Sequence, residues 1–192
     1  NKLRKIDTFA KMGILPKTMI QTMSGGRTED TKFDTIDFSE WTNPNISFEE
    51  SSVYNFFSEQ TILFIIFKET DNQCPLEKVV FEGFKRIQFD DEFIHEKVKP
   101  TWDRVRQLIW RNELTVSKVR DRNGKIIMTP KTNLPKEETN FPKSKEYDIF
   151  LRGTGTDATS KTLTLNGYKM LPQQFWIKGK LLVELLKEKP FI

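Results

Sequence analysis

The chain has 192 residues, enough for one domain with a substantial core. Its net charge of +4 and pI of about 9.0 make it mildly basic, which suits a polyanionic partner without requiring one. Cys74 is the only cysteine, which excludes an intrachain disulfide and fits a reducing cytosol. The longest apolar run, Ile62 to Phe67, is far too short for a transmembrane helix, and no signal peptide is apparent.

Taken in chain order, Gly25-Gly26 predicts a turn. Residues 32–38 alternate imperfectly and predict a short edge strand, with Trp41 to Ile46 as a loop around Asn43-Pro44-Asn45. Ser51 or Ser52 is placed to cap a short helix through Phe57. Thr61 to Phe67 is apolar on both faces and rich in β-branched and aromatic residues, so it predicts a central, buried strand. Lys78 to Phe89 predicts a strand with a bulge at Gly83. Ile94, Val98, Trp102, Val105 and Ile109 recur at helical spacing, with Leu108 alongside and Pro100 marking a kink or a first turn.

Further on, Asn123-Gly124 predicts a hairpin turn inside Arg120 to Met128. Lys131 to Lys145, with two prolines and many charges, predicts a flexible surface insertion. Glu146 to Leu151 predicts a strand leading into a loop from Arg152 to Lys161, and Asn166-Gly167 a second hairpin within Thr162 to Met170. Phe175 to Lys178 predicts a strand and Lys180 to Glu188 an amphipathic helix. Mixed strands with a few helices give an α/β class, a mixed sheet with flanking helices.

Four blocks in this order carry a family resemblance. They are Phe9 to Thr18; Phe48-Glu49-Glu50-Ser51-Ser52-Val53 with the run Thr61 to Phe67; Trp102 to Ile109; and Phe150-Leu151-Arg152 through Leu171-Pro172-Gln173-Gln174-Phe175-Trp176-Ile177-Lys178. Together they resemble the MutH family, which covers the mismatch-repair nuclease and GATC-specific type II restriction endonucleases. The resemblance implies a restriction-endonuclease-like fold over one domain, 1–192, in a bacterial cytoplasm. In that family an Asp and a Glu-x-Lys hold Mg²⁺ and stabilise developing charge. Here Thr8 stands at the Asp position and Leu15 at the Glu position, while Lys17 remains. The chain thus looks like the catalytically silent half of such an endonuclease, one that binds a second copy of the site as an effector. The implied partners are double-stranded DNA and a catalytic N-terminal domain of the same polypeptide, where Mg²⁺ is expected. A dimer on DNA is compatible with this, a membrane is not implied, and no cofactor is expected for this domain itself. Asn1 in place of Met agrees with a fragment of a longer chain.

The expected DNA face combines the loop residues Arg152, Gly153, Thr154, Gly155, Thr156 and Lys161 with Trp176, Lys178 and Lys17. A small polar loop lets backbone approach a groove, and Arg152 or Lys161 can pair with guanine O6/N7. Strand alternation would put Trp176 and Lys178 on one side. The family's loop carries Pro-Lys after the Arg, where this chain has Gly153-Thr154, so its base reading departs from the family's. Read without the family, Trp176 is a core tryptophan and Lys17 a solvated lysine. Lys85, Arg86, Lys99, Arg104 and Arg106 are candidates for backbone contacts or plain surface charges. Two other readings stand beside the silent one. Asp7, Glu49 or Glu50 would supply a rescued metal site in an active Mg²⁺ endonuclease, or the chain would be a protein-interaction module. His95, the sole histidine, has no cysteine nearby for zinc or Cys-His chemistry.

Overall fold

The apolar run beginning at Thr61 forms a strand, β3 (Thr61–Lys68), at the centre of a three-stranded sheet. A computed structural model describes residues 9, 11–26, 29–72, 74–130, 132–155 and 159–192. Asp7, Thr8 and Thr156 lie outside the described residues. The chain is mixed α/β, with small sheets and a few helices, and divides into two compact units. The first comprises the described parts of 1–31, 49–96 and 177–192, the second those of 32–48 and 97–176. Among the described residues no helix is long and apolar enough to cross a membrane.

In the first unit, β1 (Ile14–Gln21) runs parallel to β3 and β4 (Val80–Ile87) antiparallel to it. One face of β3 is fully closed, with Ile62, Phe64 and Ile66 inaccessible, while Leu63 and Ile65 on the other face are half-buried. Burial is therefore complete on one side only, less than the two-faced apolar pattern predicts. Pro16 is accommodated because β1 is an edge strand, where a missing N–H need not break the ladder. Helix α2 (Ser52–Glu59), second in chain order, starts where the Ser51 side chain accepts from Tyr54 N–H at 3.2 Å, and it buries Val53 and Phe57. Helix α4 (Gly179–Lys187) buries Leu182, Val183 and Leu186, and Lys85 donates to the Leu186 carbonyl at 2.9 Å, a cation at a helix C-terminus.

The bulge expected at Gly83 is present: Ile66 pairs with Gly83 and Phe67 with Phe81, leaving Glu82 as the extra residue. Gly83 has φ of +148°, and a Cβ there would lie 2.8 Å from Phe191 Cδ1. Gly83→Ala is expected to cost about 1 kcal/mol or more, read as a lower denaturation midpoint at unchanged slope. Equal midpoints would show that the strand relaxes around the methyl.

The second unit holds a three-stranded sheet in which β10 (Gln173–Ile177) lies between β2 (Thr31–Thr35) and β7 (Ile149–Gly153), with the unit boundaries at the ends of β2 and β10. The edge strand expected over 32–38 stops early. Asp37 leaves it and accepts from Ser39 N–H at 2.9 Å, starting the short helix α1 (Phe38–Thr42). That bond also holds the Asp37 carboxyl below its usual range. Trp41, expected in a loop, is instead inaccessible on this helix, its ring 4.3 Å from Trp102 and 5.6 Å from Phe175. Trp102 belongs to α3 (Lys99–Trp110), whose Val105 and Leu108 are also buried. Pro100 lies in its first turn, and a π turn over Ile94–Val98 precedes it, widening the ladder just where proline removes a donor.

Two hairpins complete this unit. In one, β8 (Leu163–Leu165) pairs β9 (Tyr168–Met170) through Asn166 and Gly167, both at positive φ as the Asn-Gly turn predicts. In the other, β5 (Val116–Lys118) pairs β6 (Glu137–Thr139), and the residues between them branch. Val119 N–H donates to Lys136 O, Lys136 N–H to Ile127 O and Ile127 N–H to Val119 O, at 2.8, 2.8 and 2.9 Å. The flexible insertion expected over 131–145 is thus, in its described residues up to Asn140, part of a hydrogen-bonded β-arm. Charge indicated exposure at Lys136, Glu137 and Glu138, but Phe141 and Pro142 are buried, and the pairing that orders the arm is between segments far apart in sequence.

Candidate nucleic-acid interface

Arg152 and Trp176, 24 positions apart, meet because β7 and β10 are neighbours in one sheet. The strand β7 runs on through Gly153, so Arg152 is held by the sheet rather than by the loop expected to begin with it. Its guanidinium lies 4.4 Å from the Trp176 ring centroid and 5.1 Å from that of Phe150. Alternation along β10 buries Gln173, Phe175 and Ile177 and leaves Gln174 and Trp176 half-buried on the opposite side. The ring face of Trp176 is thus covered by a cation. The in-plane N–H fork of a guanidinium suits carboxylate, phosphate or guanine geometry. Trp176 Nε1 and Gln174 Oε1 are enclosed without a hydrogen-bond partner, although buried tryptophan N–H groups usually find one.

A second cation approaches the same strand. Leu151 N–H donates to the Pro142 carbonyl at 3.1 Å, bringing Lys143 alongside β7. Burial pushes the Lys143 ammonium below its ordinary value; Glu138, 3.9 Å away, opposes this, while Arg152 and Lys136 add to it by like charge. Sequence patterning did not single out Lys143. No local period points to it, because a tertiary hydrogen bond delivers it.

The remaining expected residues are distributed unevenly. Gly153 serves packing: a Cβ there would stand 3.2 Å from Leu171 Cβ and 3.4 Å from Gln173 Nε2, so its missing side chain admits the protein's own chain rather than a groove. Thr154 is tied down as its N–H donates to Pro172 O at 2.7 Å, and Gly155 beyond it is exposed. Lys161 is paired with Glu137. Lys178 is not on the strand, which ends at Ile177; its carbonyl accepts from Leu182 N–H at the start of α4, so the alternation expected to carry it to Trp176's side does not reach it. Lys178 and Lys17 belong to the first unit.

Lys17 is not a solvated lysine. It is 8% exposed, on the face of β1 that also carries Leu15 and Met19. The parallel register sets Leu15 against Ile62 and Lys17 against Phe64, both inaccessible. Leu15, which the family resemblance sets at a metal-ligand position, is thus an apolar residue paired with a buried apolar neighbour. Glu49 lies 3.9 Å from His95, which is also 3.5 Å from Asp91. Asp91 accepts from the Tyr54 hydroxyl at 2.8 Å, and this bond raises the phenol above its usual value. Among the described residues no group of three or more His, Cys, Asp or Glu is placed to hold a metal ion.

Two other expected cations are structural. Arg106 is 7% exposed; it donates to Ile46 O at 2.6 Å and Asn43 O at 3.0 Å, and its guanidinium stands 4.0 Å from Trp110 and 5.0 Å from Trp102. Lys85 is committed to α4 and to the Phe191 ring, 4.5 Å away. Lys99 pairs with Asp103 on its own helix. No protein-family model matches the chain, and no curated protein matches it.

Proposed function

We propose that the second unit binds duplex DNA through the Arg152–Trp176 face, as the effector half of a MutH-like restriction endonuclease reading a GATC-like site, and that the chain does not cut. The observation that carries this is a guanidinium lying over an indole, 4.4 Å from its ring centroid, with a second, half-buried cation, Lys143, next to the same strand. Stacking on Trp176 limits the rotamers of Arg152, so less entropy is lost when its fork meets guanine O6/N7 or a phosphate. The resemblance of the four sequence blocks supports the family and the site, and the pairing of β7 with β10 is consistent with it.

Cleavage by this chain is disfavoured by the residues where Mg²⁺ would have to sit. Leu15 offers no oxygen, and its strand neighbour Ile62 is fully buried. Mg²⁺ chemistry would belong to a catalytic N-terminal partner, whose activity DNA on this unit would favour if the two conformational states differ in DNA affinity.

The test is binding of the chain to a GATC duplex and to a scrambled duplex across a salt titration, followed by addition of Mg²⁺. Preference for GATC, a steep salt slope and intact DNA are the expected results. Nicks on adding Mg²⁺ would mean that carboxylates such as Glu49 or Glu50 form a working site. No binding even at low salt would end the DNA reading and leave an interaction module.

A further inference from the structure

Residues 115–145 carry eight Lys or Arg against three Asp or Glu, a net charge of +5, whereas the whole chain carries +4. The basic character therefore resides in the β5/β6 arm and the segment that returns from it, and the remainder is slightly acidic. Lys118, Arg120, Arg122, Lys125 and Lys136 are all exposed there. No ion pair among the described residues involves Lys118, Arg122, Lys125 or Lys136. Exposed cations of one sign, concentrated on one ribbon, favour a polyanionic partner.

The arm is also built to hold them in place. Asp121, the sole acid between 115 and 136, spends its carboxylate on the turn, accepting from Asn123 N–H at 2.8 Å and Lys125 N–H at 2.9 Å. Gly124 N–H donates to Asp121 O at 3.0 Å, and Arg120 reaches the Gly124 carbonyl at 2.7 Å. Arg122 and Lys125 thus stand on a fixed turn, and the ring of bonds among Val119, Ile127 and Lys136 anchors the branch beneath it. The cost of ordering the backbone that carries these cations is met in folding rather than on binding.

We infer that this arm is a second DNA contact of the same unit, one that grips the sugar-phosphate backbone without reading sequence. The inference rests on the DNA-binding reading of the Arg152–Trp176 face. Division of labour follows from chemistry: scattered lysine and arginine termini neutralise phosphates, while base discrimination needs a positioned fork.

The experiment replaces Lys118, Arg122 and Lys125 together with glutamine and compares salt titrations on GATC and scrambled duplexes with those of wild type and Arg152→Ala. All three sites are exposed, and circular dichroism and melting check folding. The slope of log affinity against log salt should fall by about 0.9 for each phosphate that is no longer neutralised, up to about 2.7, with the GATC preference unchanged. Arg122→Glu/Lys125→Glu should weaken binding to both duplexes further. An unchanged slope in a protein whose binding still depends on Arg152 would overturn the arm alone. A wild-type chain that binds no DNA would overturn both readings. Loss of preference in the triple variant would show that the arm reads bases and is not a backbone grip.

Discussion

Trp41→Ala is expected to destabilise the protein by about 3–5 kcal/mol, the usual cost of emptying a buried tryptophan site. Trp41 is inaccessible and meets aromatic rings from three directions: Phe38 at 5.7 Å, Trp102 at 4.3 Å and Phe175 at 5.6 Å between centroids. These come from its own helix, from α3 and from β10, so one side chain ties helix to sheet in the second unit. A loss of this size is a large share of the roughly 5–15 kcal/mol by which domains are stable. Trp41→Phe should retain most of the stability, because the indole N–H has no hydrogen-bond partner to lose. Urea unfolding followed by far-ultraviolet dichroism reads both. A loss below about 1 kcal/mol for Trp41→Ala would mean that the neighbouring rings collapse into the space.

Arg152→Ala should weaken binding to the preferred duplex by about 1–3 kcal/mol, roughly 5- to 150-fold, and narrow its advantage over a scrambled one. Arg152→Lys should not rescue it, since an ammonium neither stacks as a plane nor donates through a fork. Trp176→Ala removes the platform 4.4 Å beneath the guanidinium and should weaken binding through Arg152. The double variant should then lose less than the sum of the two singles. Trp176→Phe, which keeps a ring, should recover part of the loss. Full affinity and preference in a folded Arg152→Ala protein would move the interface elsewhere. Additive losses would mean that the two residues contact DNA independently and that the stack is incidental.

Much of the local structure was legible in the residues, and the reasons are specific. Ser51 begins a helix because a hydroxyl meets an orphan N–H one turn on. Asn166-Gly167 turns because both residues tolerate positive φ. Trp102, Val105 and Ile109 keep helical period and are buried as that period demands. A comparable signal was present but overridden at Asp37: an acid with Glu40 three positions later is a helix start, yet Asn43-Pro44-Asn45 downstream drew Trp41 into a predicted loop. The β5/β6 arm had no local signal, since Val119, Ile127 and Lys136 pair across up to 17 positions.

For the candidate site, the division is sharper. The sequence by itself determined that Leu15 cannot ligate a metal and that Trp176 alternates with Phe175 and Ile177, because side-chain chemistry and strand period are local properties, but it put Arg152 in a loop where the sheet in fact continues through Gly153. Only the tertiary structure decided that Arg152 lies over Trp176, that Lys143 arrives beside β7 and that β10 ends before Lys178. It also decided that Lys17 is buried, through parallel pairing with a strand more than 40 residues on. Each of these depends on which strands become neighbours, and neighbour choice is settled by burying the faces of several elements at once, a condition that no single segment carries.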